Sequence, residues 1–173
     1  MIYIVRHGQT DWNIEGRYAG RIDIPLNKKG LNDAKKLKEK FKNIKLDAVI
    51  CSPLVRTKQT ARCITRKKLI LDERIIERSN GKLEGKLKSE INDIIDFNNP
   101  NDQKYNIESI IDFRNRIEDF LKEIDIKYKG KNVLIVTHAG VSIYIRCHYE
   151  GEPIDGNYSI YKIGNCEVLE YKN

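Results

Sequence analysis

Two of the three histidines in this 173-residue chain, His7 and His138, stand where an apolar run breaks into a glycine-containing turn. Ile2-Tyr3-Ile4-Val5 runs into Arg6-His7-Gly8, and Asn132-Val133-Leu134-Ile135-Val136 runs into Thr137-His138-Ala139-Gly140. A histidine leaving the carboxyl end of a buried strand stands where open α/β sheets bind ligands, so two such placements imply one shared site. Arg6 adjoins His7, and Arg56 follows a third break of this kind at Cys51-Ser52-Pro53. A guanidinium is a planar, permanently charged fork that matches phosphoryl oxygens two at a time. The N–H groups of Ala139 and Gly140, opening a helix after His138, add donors and the positive end of a helix dipole. Together these groups make an anion pocket suited to phosphate. Cationic neighbours disfavour an imidazolium, so His7 is expected to be neutral, nucleophilic and able to accept a phosphoryl group itself. The arginines and the helix end supply the positive charge a metal supplies elsewhere. No metal or other cofactor is expected, and neither a Walker A loop nor zinc-ligand spacing occurs.

The elements that must position these groups alternate in type. Ile2–Val5, Asp47–Cys51 and Asn132–Val136 have the apolar, β-branched character of buried strands. Each precedes a helical pattern: Leu31–Phe41, entered through Asn27 and Gly30; Leu54–Ile64, with Pro53 in its first turn; and Val141–Tyr149. Strands that alternate with helices are joined by long right-handed crossovers, which makes them parallel and brings their carboxyl ends to one edge. Lys68–Asp72 is a weaker strand, and Ile107–Ile126 is a strongly amphipathic helix. Tyr158–Ile163 and Cys166–Tyr171 flank Gly164-Asn165 and are expected to close a type II′ hairpin. The polar, Asn-rich stretch 86–105, with Ile91, Ile94, Ile95 and Phe97, is expected to be a small helical excursion or lid. The expected fold is α/β: a three-layer α/β/α sandwich with a mostly parallel central sheet and an antiparallel C-terminal edge.

Residues 1–173 are expected to form a single domain, without linker or repeat. The formal net charge of +7 favours anionic partners, but the lysines are scattered along amphipathic helices without interleaved aromatics, so nucleic-acid binding is not expected. With no long apolar segment, signal peptide or lipidation motif, a cytoplasmic protein without membrane contact is expected. Cys51, Cys63, Cys147 and Cys166 are scattered, with Cys51 and Cys166 in strand-like runs, and are expected to be buried free thiols. His148 lacks arginine company and is expected to be structural, while Arg17 and Arg21 either touch substrate or face solvent.

The ordered set of motifs resembles the histidine phosphatase superfamily, the group that includes cofactor-dependent phosphoglycerate mutase, over nearly the whole chain. It comprises Val5-Arg6-His7-Gly8-Gln9-Thr10 with Trp12-Asn13, Gly20-Arg21 with Asp23 and Pro25-Leu26, Gly30, and Cys51-Ser52-Pro53-Leu54 with Arg56 and Gln59-Thr60-Ala61. It continues through Glu77-Arg78, Gly81 and Glu84-Gly85 to Thr137-His138-Ala139-Gly140. The resemblance implies a phosphoglycerate mutase-like fold and a two-step transfer in which His7 takes the phosphoryl group. Arg6, Arg56 and His138 would hold its oxygens, and Glu77 would give a proton to the leaving oxygen and then activate water. Gly8, Gln9, Thr10, Asn13, Ala19, Gly20, Arg78, Ala139 and Gly140 match positions that line the family's substrate pocket.

The chain departs from the mutases of this family. It lacks their long insertion after the Glu77 region and their tail, and Ser79-Asn80 stands where they carry His-Tyr. A phosphohistidine less enclosed than theirs is exposed to water, which favours a phosphatase. Size and motifs are similar to those of the small phosphatases, α-ribazole phosphatases and broad-specificity phosphomonoesterases among them, in which a stretch like Glu108-Ser109 with Arg114 and Arg116 shapes the acceptor side. The expectation is a metal-independent phosphomonoesterase acting on a small phosphorylated metabolite. Mutase-type transfer, protein-phosphohistidine hydrolysis and non-catalytic phospho-ligand binding are the alternatives.

Overall fold

The computed structural model describes residues 1–92 and 104–173. Its sheet has five strands: β1 (Ile2–Arg6), β2 (Ala48–Cys51), β3 (Ile70–Leu71), β4 (Val133–Thr137) and β5 (Val168–Tyr171). They lie in the order β3-β2-β4-β1-β5, with β1 to β4 parallel and β5 antiparallel to β1. The helices are α1 (Asp11–Glu15), α2 (Lys28–Phe41), α3 (Val55–Ile64), α4 (Ile110–Lys127) and α5 (Ala139–Glu150).

Side-chain alternation makes three layers from one sheet. Ile2, Ile4, Ala48, Ile50, Val133 and Ile135 face Phe113, Ile117, Phe120 and Leu121 of α4 and Val141, Tyr144 and Ile145 of α5. Tyr3, Val5, Val49, Cys51, Leu134 and Val136 face the other way, against Phe41 of α2 and Ala61 and Ile64 of α3. Strands covered on both faces need apolar residues at every position, which is why β1, β2 and β4 are continuous apolar runs rather than alternating ones.

The boundaries follow local hydrogen bonding. The Asn27 side chain accepts the Gly30 N–H at 2.8 Å, so α2 starts at Lys28, one turn before the periodic run from Leu31. Pro53 precedes α3 instead of opening it. The Ser52 N–H is still tied to the Val136 carbonyl at 3.1 Å, and Leu54 is the N-cap.

The expected C-terminal hairpin does not form. Tyr158–Tyr161 is a short 3-10 helix capped by Asn157, and β5 alone supplies the antiparallel edge. Gly164-Asn165 does make a turn, in which the Glu167 N–H donates to the Gly164 carbonyl at 3.2 Å. The preceding segment is held by other partners: the Arg6 Nη1 donates to the Ile163 carbonyl at 2.7 Å, and the Asn165 Nδ2 to the His7 carbonyl at 2.9 Å. Cys166 therefore sits in the turn, with φ +60°, and not in a strand. Cys51 is buried, whereas Cys63, Cys147 and Cys166 are part-exposed, and all four are free thiols.

Within the expected excursion, Lys88–Glu90 is a single 3-10 turn, and Arg17 and Leu87 form an isolated antiparallel bridge. The part of that expectation over 93–103, including Ile94, Ile95 and Phe97, lies outside the described residues. Among the described residues no helix is long and apolar enough to cross a membrane.

Candidate active site

Strand register brings the two histidines together. Arg6 pairs with Thr137 at the ends of β1 and β4, so the next residue in each chain segment is a histidine. The His7 N–H donates to the Thr137 carbonyl at 3.0 Å, and the two imidazole centroids lie 5.2 Å apart at 62°. The His7 Nδ1 is 2.7 Å from the Gly8 carbonyl. A carbonyl only accepts, so Nδ1 carries the ring proton and Nε2 keeps its lone pair. The His138 Nε2 lies 2.7 Å from the Ser52 Oγ, just past the end of β2. Both rings are buried, and both pKa values are held well below the ordinary histidine value, first by burial and then by the Arg56 charge, with Arg6 adding to the effect.

Arg56 lies in the first turn of α3 and is 1% exposed. Its Nη1 and Nη2 donate to the carbonyls of Ile22 and Gly20, each at 2.8 Å, which fixes the plane of the guanidinium. Arg6 is fixed through the Ile163 carbonyl. Burial lowers both arginine pKa values, although each side chain stays a cation. Among the described residues, the Nε of Arg6, the Nε of Arg56 and the Nδ1 of His138 are buried without a hydrogen-bond partner. Leaving a buried polar group unmet costs about 1–3 kcal/mol, and the two guanidinium Nε–H groups can only donate, so they mark a place shaped for an acceptor-rich ligand.

Glu77 approaches the same place from the other side. Its carboxylate accepts the Arg78 N–H at 2.9 Å and the Gly140 N–H at 3.2 Å, in the first turn of α5. A Cβ on Gly140 would stand 2.4 Å from the Glu77 Oε1, so only glycine admits the carboxylate this close to the helix. The Glu77 backbone is held in turn: its carbonyl accepts from Arg116 at 3.2 Å and from Arg21 at 3.3 Å, and both arginines pair with Glu108 at 2.9 Å.

These groups open into a cleft of about 560 Å³. Of the residues expected in the site, Arg6, His7, Asn13, Ala19, Gly20, Arg56, Glu77, Arg78, Ala139 and Gly140 line it. His138 lies behind the wall, fully buried. Gly8, Gln9 and Thr10 are not on the wall, and their structural work is elsewhere. The Gly8 N–H donates to the Thr60 Oγ1 at 3.0 Å, and Gly8 backs onto Gly30 so tightly that a Cβ would meet the Gly30 oxygen at 2.6 Å. The Gln9 Oε1 accepts from Asn27 at 3.2 Å, and Thr10 caps α1 in a reciprocal box with Asn13. Arg17 lines the cleft, whereas Arg21 is spent on Glu108 and the Glu77 carbonyl. His148 bridges Asp125 at 2.8 Å and Glu118 at 3.2 Å, tying α5 to α4 away from the cleft.

Several lining residues escaped sequence reasoning. Tyr18, Asn80, Lys88 and Lys162 come from loops or single turns, and Ile110, Phe113, Ile143, Tyr144 and Tyr158 form an apolar wall. Phe113 and Tyr144 pack edge to face at 5.5 Å and serve both core and cleft. Ser52 was within reach of sequence reasoning, since it ends β2 at the same sheet edge as the histidines. Among the described residues no three His, Cys, Asp or Glu side chains are grouped so as to hold a metal ion.

A mostly parallel sheet whose carboxyl edge carries two buried histidines, with Arg6 beside the first and the buried Arg56 on the helix after β2, has the phosphoglycerate mutase-like α/β fold. Residues 2–172 match the family model described as histidine phosphatase superfamily (branch 1). Phosphoserine phosphatase 1 of Hydrogenobacter thermophilus is 32% identical over 147 residues, covering 79% of this chain and 70% of that protein. The adenosylcobalamin/alpha-ribazole phosphatase of Salmonella typhimurium is 29% identical over 153 residues, covering 81% and 74%. Among solved structures, Bacillus stearothermophilus YhfR superposes with a TM-score of 0.84 at 30% identity, covering 96% of this chain and 88% of that one. The chain belongs to the histidine phosphatase superfamily and is an enzyme of its phosphatase class.

Proposed function

We propose that this enzyme hydrolyses small phosphate monoesters in two steps through a phosphohistidine on His7, with no metal in the reaction. The observation that carries this reading is the 2.7 Å contact from the His7 Nδ1 to the Gly8 carbonyl, which leaves a neutral ring with a nucleophilic Nε2. In the first step Nε2 forms a bond to phosphorus while the ester P–O bond breaks. The leaving oxygen takes its proton from Glu77, without which an alkoxide is a poor leaving group. In the second step Glu77 removes a proton from water, the hydroxide adds to phosphorus, and the N–P bond breaks, so that orthophosphate leaves and neutral His7 returns.

The partnerless Nε atoms of Arg6 and Arg56 and the His138 ring are suited to the phosphoryl oxygens as charge shifts onto them. The Asn13 Oδ1 is engaged by the Thr10 N–H at 3.0 Å and the Asn165 Nδ2 at 3.4 Å, which aims its Nδ2 as a further donor. Permanent guanidinium charge takes the part a divalent cation plays in other phosphatases. The cleft beyond the phosphoryl site fits a small metabolite rather than nucleic acid, and four free thiols suit the reducing cytoplasm. Esters of the kinds named for the relatives, phosphoserine and α-ribazole phosphate, head the substrate panel.

The test is phosphate release from that panel in EDTA, comparing wild type with His7→Ala. Release that persists in EDTA and falls at least about 10³-fold in the variant supports the mechanism. Release that requires added metal, or is indifferent to His7, overturns it.

A further inference from the structure

One buried hydroxyl at the carboxyl edge of the sheet has no part in the reaction above. The Ser52 Oγ lies 2.7 Å from the His138 Nε2, and both residues are fully buried. Ser52 is held by its backbone: its N–H donates to the Val136 carbonyl at 3.1 Å, and its own carbonyl stands 2.8 Å from the Thr57 Oγ1. Among the described residues the hydroxyl has no partner but this ring, and the other ring nitrogen, Nδ1, has no partner at all.

Three proton arrangements would satisfy this contact, and they differ in what they leave unmet. If the His138 Nε2 carried the only ring proton, it would donate to Ser52. The Ser52 hydroxyl hydrogen would then be buried without an acceptor, and Nδ1 would present a bare lone pair. An imidazolium would strand the same hydroxyl hydrogen and add a charge that burial and the cations Arg56 and Arg6 oppose. If Ser52 donates, Nε2 accepts and Nδ1 carries the proton, which leaves one group unmet, the Nδ1–H. Every buried polar group without a partner is costly, so the third arrangement is selected. The partnerless Nε–H groups of Arg6 and Arg56 agree with it, because they can only donate. A ring N–H completes a set of donors for phosphoryl oxygens, whereas a lone pair would repel them.

We infer that Ser52 is a positioning residue: its hydroxyl donates to the His138 Nε2 and fixes His138 as the neutral Nδ1–H tautomer, whose free N–H is the one that meets a phosphoryl oxygen. Both site histidines then carry their proton on Nδ1 and use it in opposite ways. His7 spends its proton on the Gly8 carbonyl and keeps Nε2 to attack, while His138 spends Nε2 on Ser52 and keeps Nδ1–H to donate. The destination of that N–H rests on the phosphohistidine reading; the tautomer is a property of the free protein.

The test therefore has two arms. The first is the nitrogen NMR spectrum of ¹⁵N-histidine-labelled wild type near neutral pH in phosphate-free buffer, with the three rings assigned through His7→Ala and His148→Gln. The His138 Nδ1 should be protonated and its Nε2 bare. A protonated Nε2, alone or with Nδ1, would overturn the inference whether or not the enzyme uses a phosphohistidine. The second arm is Ser52→Ala, which should lose the single tautomer and lower kcat/KM about 10- to 100-fold. The fall should be equal for an alkyl phosphate and for 4-nitrophenyl phosphate, whose leaving group needs no proton. Ser52→Thr, which keeps a hydroxyl on the same carbon, should restore both the tautomer and most of the rate. Unchanged kcat/KM in Ser52→Ala would overturn the positioning role, and so would a loss confined to the alkyl ester, because Ser52 would then act through Glu77. Wild type that shows the tautomer but releases no phosphate in EDTA would sink the phosphatase reading and leave the tautomer assignment standing.

Discussion

The cleft has two halves of different construction. The phosphoryl half is the carboxyl edge of the sheet: His7, Ser52 and His138 each stand one residue past β1, β2 and β4, and register alone fixes their spacing. The half facing the leaving group is assembled from loops and single turns, where Glu77, Lys88 and Lys162 owe their places to side chains such as Glu108 and Arg116 and to local backbone bonds. Backbone pairing holds reacting atoms to fractions of an ångström, which phosphoryl transfer needs from any substrate. Loops are built to vary, so in the proposed reaction the choice of alcohol would fall to them.

This contrast can be broken from either side. The largest effect on the protein as a whole belongs to the sheet. Leu134, fully buried in β4, packs under α2 and α3, and Leu134→Ala should cost about 2–5 kcal/mol in urea unfolding. Activity at low temperature should survive in the folded fraction. A loss under 1 kcal/mol would mean that the strand edge is not the rigid half.

Gly140→Ala attacks the other half. The new methyl would displace the Glu77 carboxylate, which Gly140 holds by its N–H. We expect kcat to fall about 10- to 100-fold with little change in stability, because alanine also favours the helix. Unchanged kcat would remove Glu77 from the proton-transfer step.

A smaller effect sharpens the electrostatics of the phosphoryl half. His7 and His138 titrate well below their unfolded value of about 6.5, so below that pH the unfolded chain binds protons that the folded chain refuses. The stability these two rings contribute is complete above about pH 6.5 and declines as the pH falls below it, by at most about 1.4 kcal/mol per pH unit for each ring. Denaturant midpoints measured between about pH 7.5 and pH 5.5 should show this slope, and His7→Gln should remove about half of it. A slope untouched by the substitution would mean that His7 is already charged in the folded state.

The same division explains what the sequence disclosed. Apolar runs and their abrupt ends marked β1, β2 and β4, and with them the meeting of His7, His138, Arg6 and Arg56, because two-sided burial leaves a strong pattern. The C-terminal segment misled, since Tyr158–Ile163 has strand-like composition. Its backbone is claimed by Arg6 and its neighbour Asn165 by the His7 carbonyl, contacts between residues more than 150 positions apart that no local pattern carries. Gly8, Gln9 and Thr10 look like pocket residues by motif, yet two of them brace the loop against α2 and the third caps α1. Lys88 and Lys162 carried no signal at all in a chain with 32 basic residues.

A covalent phosphate on His7 can be caught by acid-free rapid quench of the enzyme with a phosphate ester, followed by mass spectrometry of its peptides. One acid-labile phosphoryl group is expected on the peptide that contains His7, formed within the first turnover and absent from His7→Ala. Multiple turnovers with no labelled peptide under conditions that preserve phosphohistidine, or a label on another residue, would contradict it.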